Sequence, residues 1–145
     1  MISKFDIINA SAGSGKTFAL TKRILIKILK SKDENYFKRI LALTFTNRAA
    51  AEMKSRILKN LKDFSESEIK DSPTEMFEQV KKELAFSSAK IIVLAKERLN
   101  LLLHNYSFFQ IETLDSFNHH IIRSFYRELN LDPDFRVVIE AEEIL

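Results

Sequence analysis

The chain owns two glycines, and both, Gly13 and Gly15, fall within the stretch NASAGSGKTFAL, residues 9–20. Over the rest of its 145 residues every turn is made without glycine. Glycine tolerates positive φ and lets backbone approach a ligand with no Cβ in the way, so the chain concentrates that freedom in one loop. A lysine and a threonine, Lys16 and Thr17, follow directly.

Ala10 to Thr17 reads A-x-x-G-x-G-K-T, the phosphate-binding loop with alanine at the first glycine position. The loop Ala10, Ser11, Ala12, Gly13, Ser14 and Gly15 would turn backbone N–H groups onto phosphate oxygens at the start of a helix. Lys16 would reach the β- and γ-phosphates, and the Thr17 hydroxyl would ligate Mg²⁺. The competing reading of the same residues is a glycine turn beside an incidental lysine. The motif requires a strand before it and a helix after it, and the patterning supplies both.

Charge is distributed to match. Net charge is only +3, yet residues 16–62 hold 13 Lys and Arg against 3 Asp and Glu, leaving the remainder at −7. A one-sided field of this kind draws polyanions, although solvated lysine-rich helix faces give the same imbalance. The absence of cysteine excludes a disulfide scaffold and a Cys-ligated zinc site, and suits a reducing cytoplasm. No signal peptide or bilayer-length apolar run is visible, so a soluble cytoplasmic protein without a membrane partner is expected.

Patterning along the chain predicts a short apolar strand at Phe5–Ile8 and a helix over Lys16–Lys30, with Leu20, Ile24 and Ile28 at fours. A buried strand over Arg39–Phe45 and a helix over Arg48–Phe64, with Met53, Ile57 and Leu61 at fours, come next. The order strand, loop, helix, strand, helix makes a parallel sheet with right-handed crossovers. Polar residues 65–72 form an exposed joint. Ser72, Pro73 and Glu75 mark a helix start with serine as N-cap, and residues 73–104 form two helices broken near Phe86. A strand ending near Thr113 precedes a helix over Ser116–Leu129, with Phe117, Ile121 and Phe125 at fours. The tail holds a turn at Asp132-Pro133 and a short strand-like piece. Two parts are thus expected: 1–64 with the loop, and 65–145 with a helical segment, a further strand and its helix.

The loop, the stretch ILALTFTNRAAAEMKSRIL (Ile40 to Leu58) and TLDSFNHHIIRSF (Thr113 to Phe125) together resemble the UvrD/Rep-like superfamily 1 DNA helicases, and among them the RecB and AddA recombination enzymes, whose loop often reads A-S-A-G-x-G-K-T. The resemblance covers nearly the whole chain, and the second stretch is its most specific part. It implies an α/β P-loop NTPase (RecA-like) domain, a parallel sheet flanked by helices, present in part and carrying a helical insertion. It implies ATP with Mg²⁺ as cofactors, Lys16 and Thr17 as the catalytic pair, and single-stranded DNA or DNA ends as partner, and it admits other subunits of a helicase-nuclease complex. It also implies that Thr44, Phe45, Thr46, Asn47 and Arg48, with Thr113 and Ser116, lie on the DNA. Chemistry agrees, since hydroxyl and amide groups at a helix N-terminus donate to phosphate and an aromatic packs beneath a base. Without the family, an N-cap Asn47 and a buried Phe45 fit the local pattern equally well.

Several positions depart from the family. Arg48 replaces lysine and keeps the charge, whereas Asp115 stands where histidine is common and would cap the following helix instead. His119 and His120 lack metal-ligand spacing and read as ordinary helix positions. The acidic pair and the arginines that hydrolysis requires are not evident, and Glu140 in VVIE is not taken as catalytic. No glutamine precedes the loop and Phe18 follows Thr17, features shared with RecB-like members, so adenine is inferred from the family alone. The chain therefore reads as the N-terminal, ATP-binding part of a DNA helicase of break repair. Its rivals are a small phosphate-loop kinase and a non-catalytic DNA-binding or assembly module.

Overall fold

A computed structural model describes residues 15–66, 73–132 and 134–135. The first helix, α1 (Lys16–Lys30), buries Thr21, Ile24, Leu25, Ile28 and Leu29. Leu20, expected on that stripe, lies at its margin, 39% exposed. A 3-10 turn at Tyr36–Arg39 puts Phe37 into the core and leads to strand β1 (Leu41–Thr44). The strand is shorter than the expected Arg39–Phe45, because the turn takes its first residue and Arg39 is held by Asp33 at 3.3 Å.

Helix α2 (Asn47–Ser65) buries Ala50, Met53, Ile57, Leu61 and Phe64, the expected period of four extended at both ends. Two further helices follow, α3 (Glu75–Leu84) and α4 (Ser88–His104), confirming the break near Phe86. Their caps differ from the expected one. Thr74, not Ser72, caps α3, its hydroxyl accepting from the Phe77 N–H at 3.2 Å. Pro73 therefore stands before the cap and outside the helix, where it cannot deprive the first turn of a donor. Ser87 caps α4 in the same way. Between them Ala85 takes a left-handed conformation, φ 53°.

A second 3-10 turn at Tyr106–Phe108 leads into strand β2 (Gln110–Thr113), which runs parallel to β1 and in register from Leu41 opposite Gln110 to Thr44 opposite Thr113. Helix α5 (Leu114–Ser124) starts without a loop. It ends before the expected Leu129, where the chain passes into turns. Among the described residues the domain is mostly helical around this small parallel sheet. The expected strand at Phe5–Ile8 and the strand-like tail lie outside the described residues.

The core is one cluster shared by α1, α2, α3 and α4, closed by Phe37, Phe109 and Ile111. Phe64 of α2 meets Phe77 of α3 edge to face, centroids 5.2 Å apart. Among the described residues one charged side chain is inside. Arg98 of α4 is 4% exposed, donates to the Ser31 carbonyl at the end of α1 at 3.4 Å, and approaches Glu34 at 3.9 Å. Its Nε has no hydrogen-bond partner among the described residues. In contrast, α5 buries none of its residues. Its expected stripe is open at Ile121 and Phe125, as is the sheet face at Leu41 and Leu43, because no described element packs over them.

Candidate functional site

Both strands end at the same edge, and each hands over at once to a helix. At the end of β1 the turn is two residues, Phe45 and Thr46. The Thr44 hydroxyl donates to the Thr46 carbonyl at 3.0 Å, and the Thr46 hydroxyl accepts from the Ala49 N–H at 3.1 Å. Thr46, rather than Asn47, is therefore the N-cap of α2. Phe45 is 89% exposed, so the buried reading of this ring is wrong. A pinned turn that throws its one large apolar side chain into solvent gains nothing for the core from it.

At the end of β2, Thr113 caps α5: its hydroxyl accepts from the Ser116 N–H at 3.2 Å and lies 2.8 Å from the Ser116 hydroxyl. Asp115, expected as the cap, sits inside the first turn of α5 because Thr113 already fills that role. Thr113 is buried at 6%, whereas Thr46, Asn47 and Arg48 are exposed. Parallel register brings the two junctions side by side, Thr44 opposite Thr113. Between them lies an open notch of about 310 Å³ lined by Asn47, Lys54, Tyr106, Glu112 and Ser116 among others.

The two helix ends differ in charge. Each presents backbone N–H groups that have no partner within the helix, and a partial positive charge. The first turn of α2 holds no acid and carries Arg48, while that of α5 holds Asp115. An anion is favoured at α2, and at α5 the carboxylate already occupies the role. Within the notch Glu112 is turned to His120, Nδ1 at 3.0 Å. His119 packs against Phe135, centroids 5.7 Å apart, and no group of His, Cys, Asp or Glu among the described residues could hold a metal ion.

Of the phosphate loop, Gly15, Lys16 and Thr17 are described, and Ala10 to Ser14 lie outside the described residues. Gly15 is the N-cap of α1 at φ 78°, ψ 16°, a conformation only glycine adopts without strain, and a Cβ there would meet no atom of the described residues within 4 Å. Gly15 has no side chain with which to cap α1, and the first turn of that helix holds no acid. Lys16 and Thr17 are exposed in that turn. An acid-free helix end that begins at a glycine and has a lysine in its first turn suits phosphate, so these residues fit the nucleotide that the sequence pattern implies.

Lys54 and Tyr106 border the notch and were not anticipated. Lys54 follows Asn47 by two turns on one face of α2, a relation legible in the spacing. Tyr106 belongs to a 3-10 turn that no pattern announced.

Comparison with known proteins adds the family. The description "UvrD/REP helicase N-terminal domain" matches residues 3–144. The chain is 34% identical over 139 residues to an ATP-dependent helicase/nuclease subunit of Exiguobacterium sibiricum, covering 96% of this chain and 10% of that protein. It is 36% identical over 136 residues to the protein of the same name from Geobacillus thermodenitrificans, covering 94% and 9%. "Exonuclease/helicase subunit RexA" of Lactococcus lactis is 29% identical over 137 residues, with 94% and 9% covered. The chain spans about a tenth of the length of these relatives. No solved structure matches it.

Proposed function

This chain belongs to the UvrD/REP helicase N-terminal domain family, and from that premise we propose that it is the ATP-binding, strand-contacting part of a DNA helicase acting in break repair. The proposed domain is a P-loop NTPase of RecA type. Residues 1–64 supply the nucleotide loop and second motif, and 65–145 the helical segment and third motif. Ala10 to Gly15, with Lys16 and Thr17, hold the phosphates of ATP, and Thr17 also holds Mg²⁺. When bound, MgATP supplies the hydrolysis energy of its terminal phosphoanhydride. The chain's own residues fix the phosphates through backbone N–H groups and the Lys16 charge.

The observation that carries the strand-contacting role is the edge shared by β1 and β2. Phe45 stands there 89% exposed beside the acid-free N-terminus of α2, one residue past Thr44, which is in register with Thr113. A single strand of DNA suits that edge: Phe45 stacks on a base or sugar, and the α2 N–H groups with Asn47 and Arg48 take a phosphate. Thr44, Thr46 and Thr113 act by holding the two junctions, and Ser116 faces the strand from α5. Further subunits of a helicase-nuclease complex are the proposed protein partners, by analogy with the relatives named as subunits. The described residues include no helix long and apolar enough to cross a membrane, which accords with the proposed cytoplasmic location.

Calorimetric titration of MgATP into the chain and its Lys16→Ala variant, with and without a short single-stranded DNA, tests this reading. Binding that Lys16→Ala abolishes and that DNA alters is expected. Nucleotide binding by the folded chain that is indifferent both to Lys16 and to DNA would overturn it.

A further inference from the structure

Lys54 and Tyr106 border the notch but belong to neither strand-to-helix junction. Lys54 Nζ lies 5.2 Å from the centroid of the Tyr106 ring. The ring itself is 44% exposed. A lysine laid over an aromatic face gives up part of its conformational freedom, so its charge is held preferentially beside a flat apolar surface. A cation beside a half-exposed ring is the pair of contacts that a flexible strand needs: a point charge for the phosphate and a face for the base.

The surroundings extend the same chemistry. Among the described residues Glu112 is the one carboxylate lining the notch, and its side chain is 15% exposed and held against His120. Past Tyr106 a second groove, about 470 Å³, opens between α2 and α4 and shares Ala51 and Tyr106 with the notch. Its charged lining among the described residues consists of Lys59 and Lys62, with no acid, over a floor that includes Leu58 and Leu103. One side of α2 thus carries a cationic track from the strand ends to its last turns.

We propose that single-stranded nucleic acid leaving the strand-end notch continues onto Lys54 and Tyr106, with Lys54 pairing a backbone phosphate and Tyr106 stacking a base. The two are strand-positioning residues and rest on the strand-contacting reading given above. Lys59 and Lys62 lie on the outgoing path.

Fluorescence anisotropy of a labelled oligothymidylate with the whole chain, across a salt series, tests the pair. Lys54→Gln is expected to weaken binding and to lower the salt slope by about 0.7, the value of one phosphate contact on a single strand. Tyr106→Ala is expected to weaken binding about fivefold or more, and Tyr106→Phe to retain it, since stacking needs the ring and not the hydroxyl. Lys82→Gln on α3, away from the notch, should leave the slope as it is, and thermal melting of each variant separates lost contact from lost fold. Should Tyr106→Ala prove unfolded, the Lys54→Gln slope decides alone. Loss of affinity on Phe45→Ala with an unchanged slope on Lys54→Gln would overturn this inference and leave the strand-contacting reading standing; the track would then be a surface for an acidic protein segment. Absence of oligonucleotide binding by the wild-type chain would overturn both.

Discussion

Thr44, the last residue of β1, lies in register with Thr113, the last residue of β2, and the hydroxyl of each fastens the start of the helix that follows. The parallel pairing therefore aligns two helix starts as well as two strands. Thr113 does more of this alone, serving as cap and as partner of the Ser116 hydroxyl while itself buried. Thr113→Val keeps the shape and removes the acceptor, and should cost about 1 kcal/mol in urea unfolding. Thr113→Ser should cost less. Equal stability of the valine variant and the wild type would show that the cap bond contributes nothing.

Phe45→Ala should separate function from stability. With the ring 89% exposed, folding stability should stay within about 0.5 kcal/mol of wild type. Affinity for single-stranded DNA should fall about fivefold or more if the ring stacks. Chemical denaturation and oligonucleotide titration on one preparation measure both, and a large stability loss would mean that the ring packs on the domain.

Arg98 invites the opposite comparison. Buried with its Nε unpaired among the described residues, it incurs a desolvation cost that its bond to Ser31 and its contact with Glu34 only partly offset. Arg98→Met fills much of the same space without polar atoms and should fold within about 1 kcal/mol of wild type or above it. Arg98→Ala leaves a void between α4 and the end of α1 and should cost about 2–4 kcal/mol. A methionine variant as unstable as the alanine variant would show that the hydrogen bond, not the volume, holds these elements.

The edge-to-face pair of Phe64 and Phe77 joins α2 to α3. Each ring is buried, so either truncation to alanine should cost about 3–5 kcal/mol. A double-mutant cycle should return a coupling of about 0.5–1.5 kcal/mol, the part owed to ring geometry. Strict additivity would reduce the pair to two independent burials.

Ala85 closes α3 at φ 53°, in a region where a Cβ is strained. The site is exposed, so Ala85→Gly relieves that strain and removes no packing. The variant should gain about 1 kcal/mol and melt higher. A lower melting temperature would mean that the added freedom of the unfolded chain outweighs the relief.

Helix existence was legible wherever one face met the core at a regular period, as with Met53, Ile57 and Leu61 in α2. Boundaries were less so, because they turn on single hydroxyls: Thr46, Thr74 and Thr113 each took the cap from a neighbour that local pattern favoured. The stripe of α5 misled in another way, since Ile121 and Phe125 repeat like core residues yet meet no described partner. At the site, the motifs located both strand ends in advance. They could not reveal that Phe45 faces outward, nor that a 3-10 turn brings Tyr106 to Lys54, because both depend on how separate segments meet.

The crossover between β1 and β2 passes through α2, α3 and α4 before the second strand returns. During synthesis, α1 through α4 leave the ribosome before Gln110, and they carry nearly all of the buried cluster among themselves. Pairing across so long a stretch of chain is slow compared with forming helices, since its ends must find each other first. The strand-end edge is thus expected to assemble after the helices that carry most of the core. A lesion on the exposed side of β2 that spares the buried Phe109 and Ile111 is expected to disturb the edge more than the helical core, so melting behaviour alone would not certify a competent molecule.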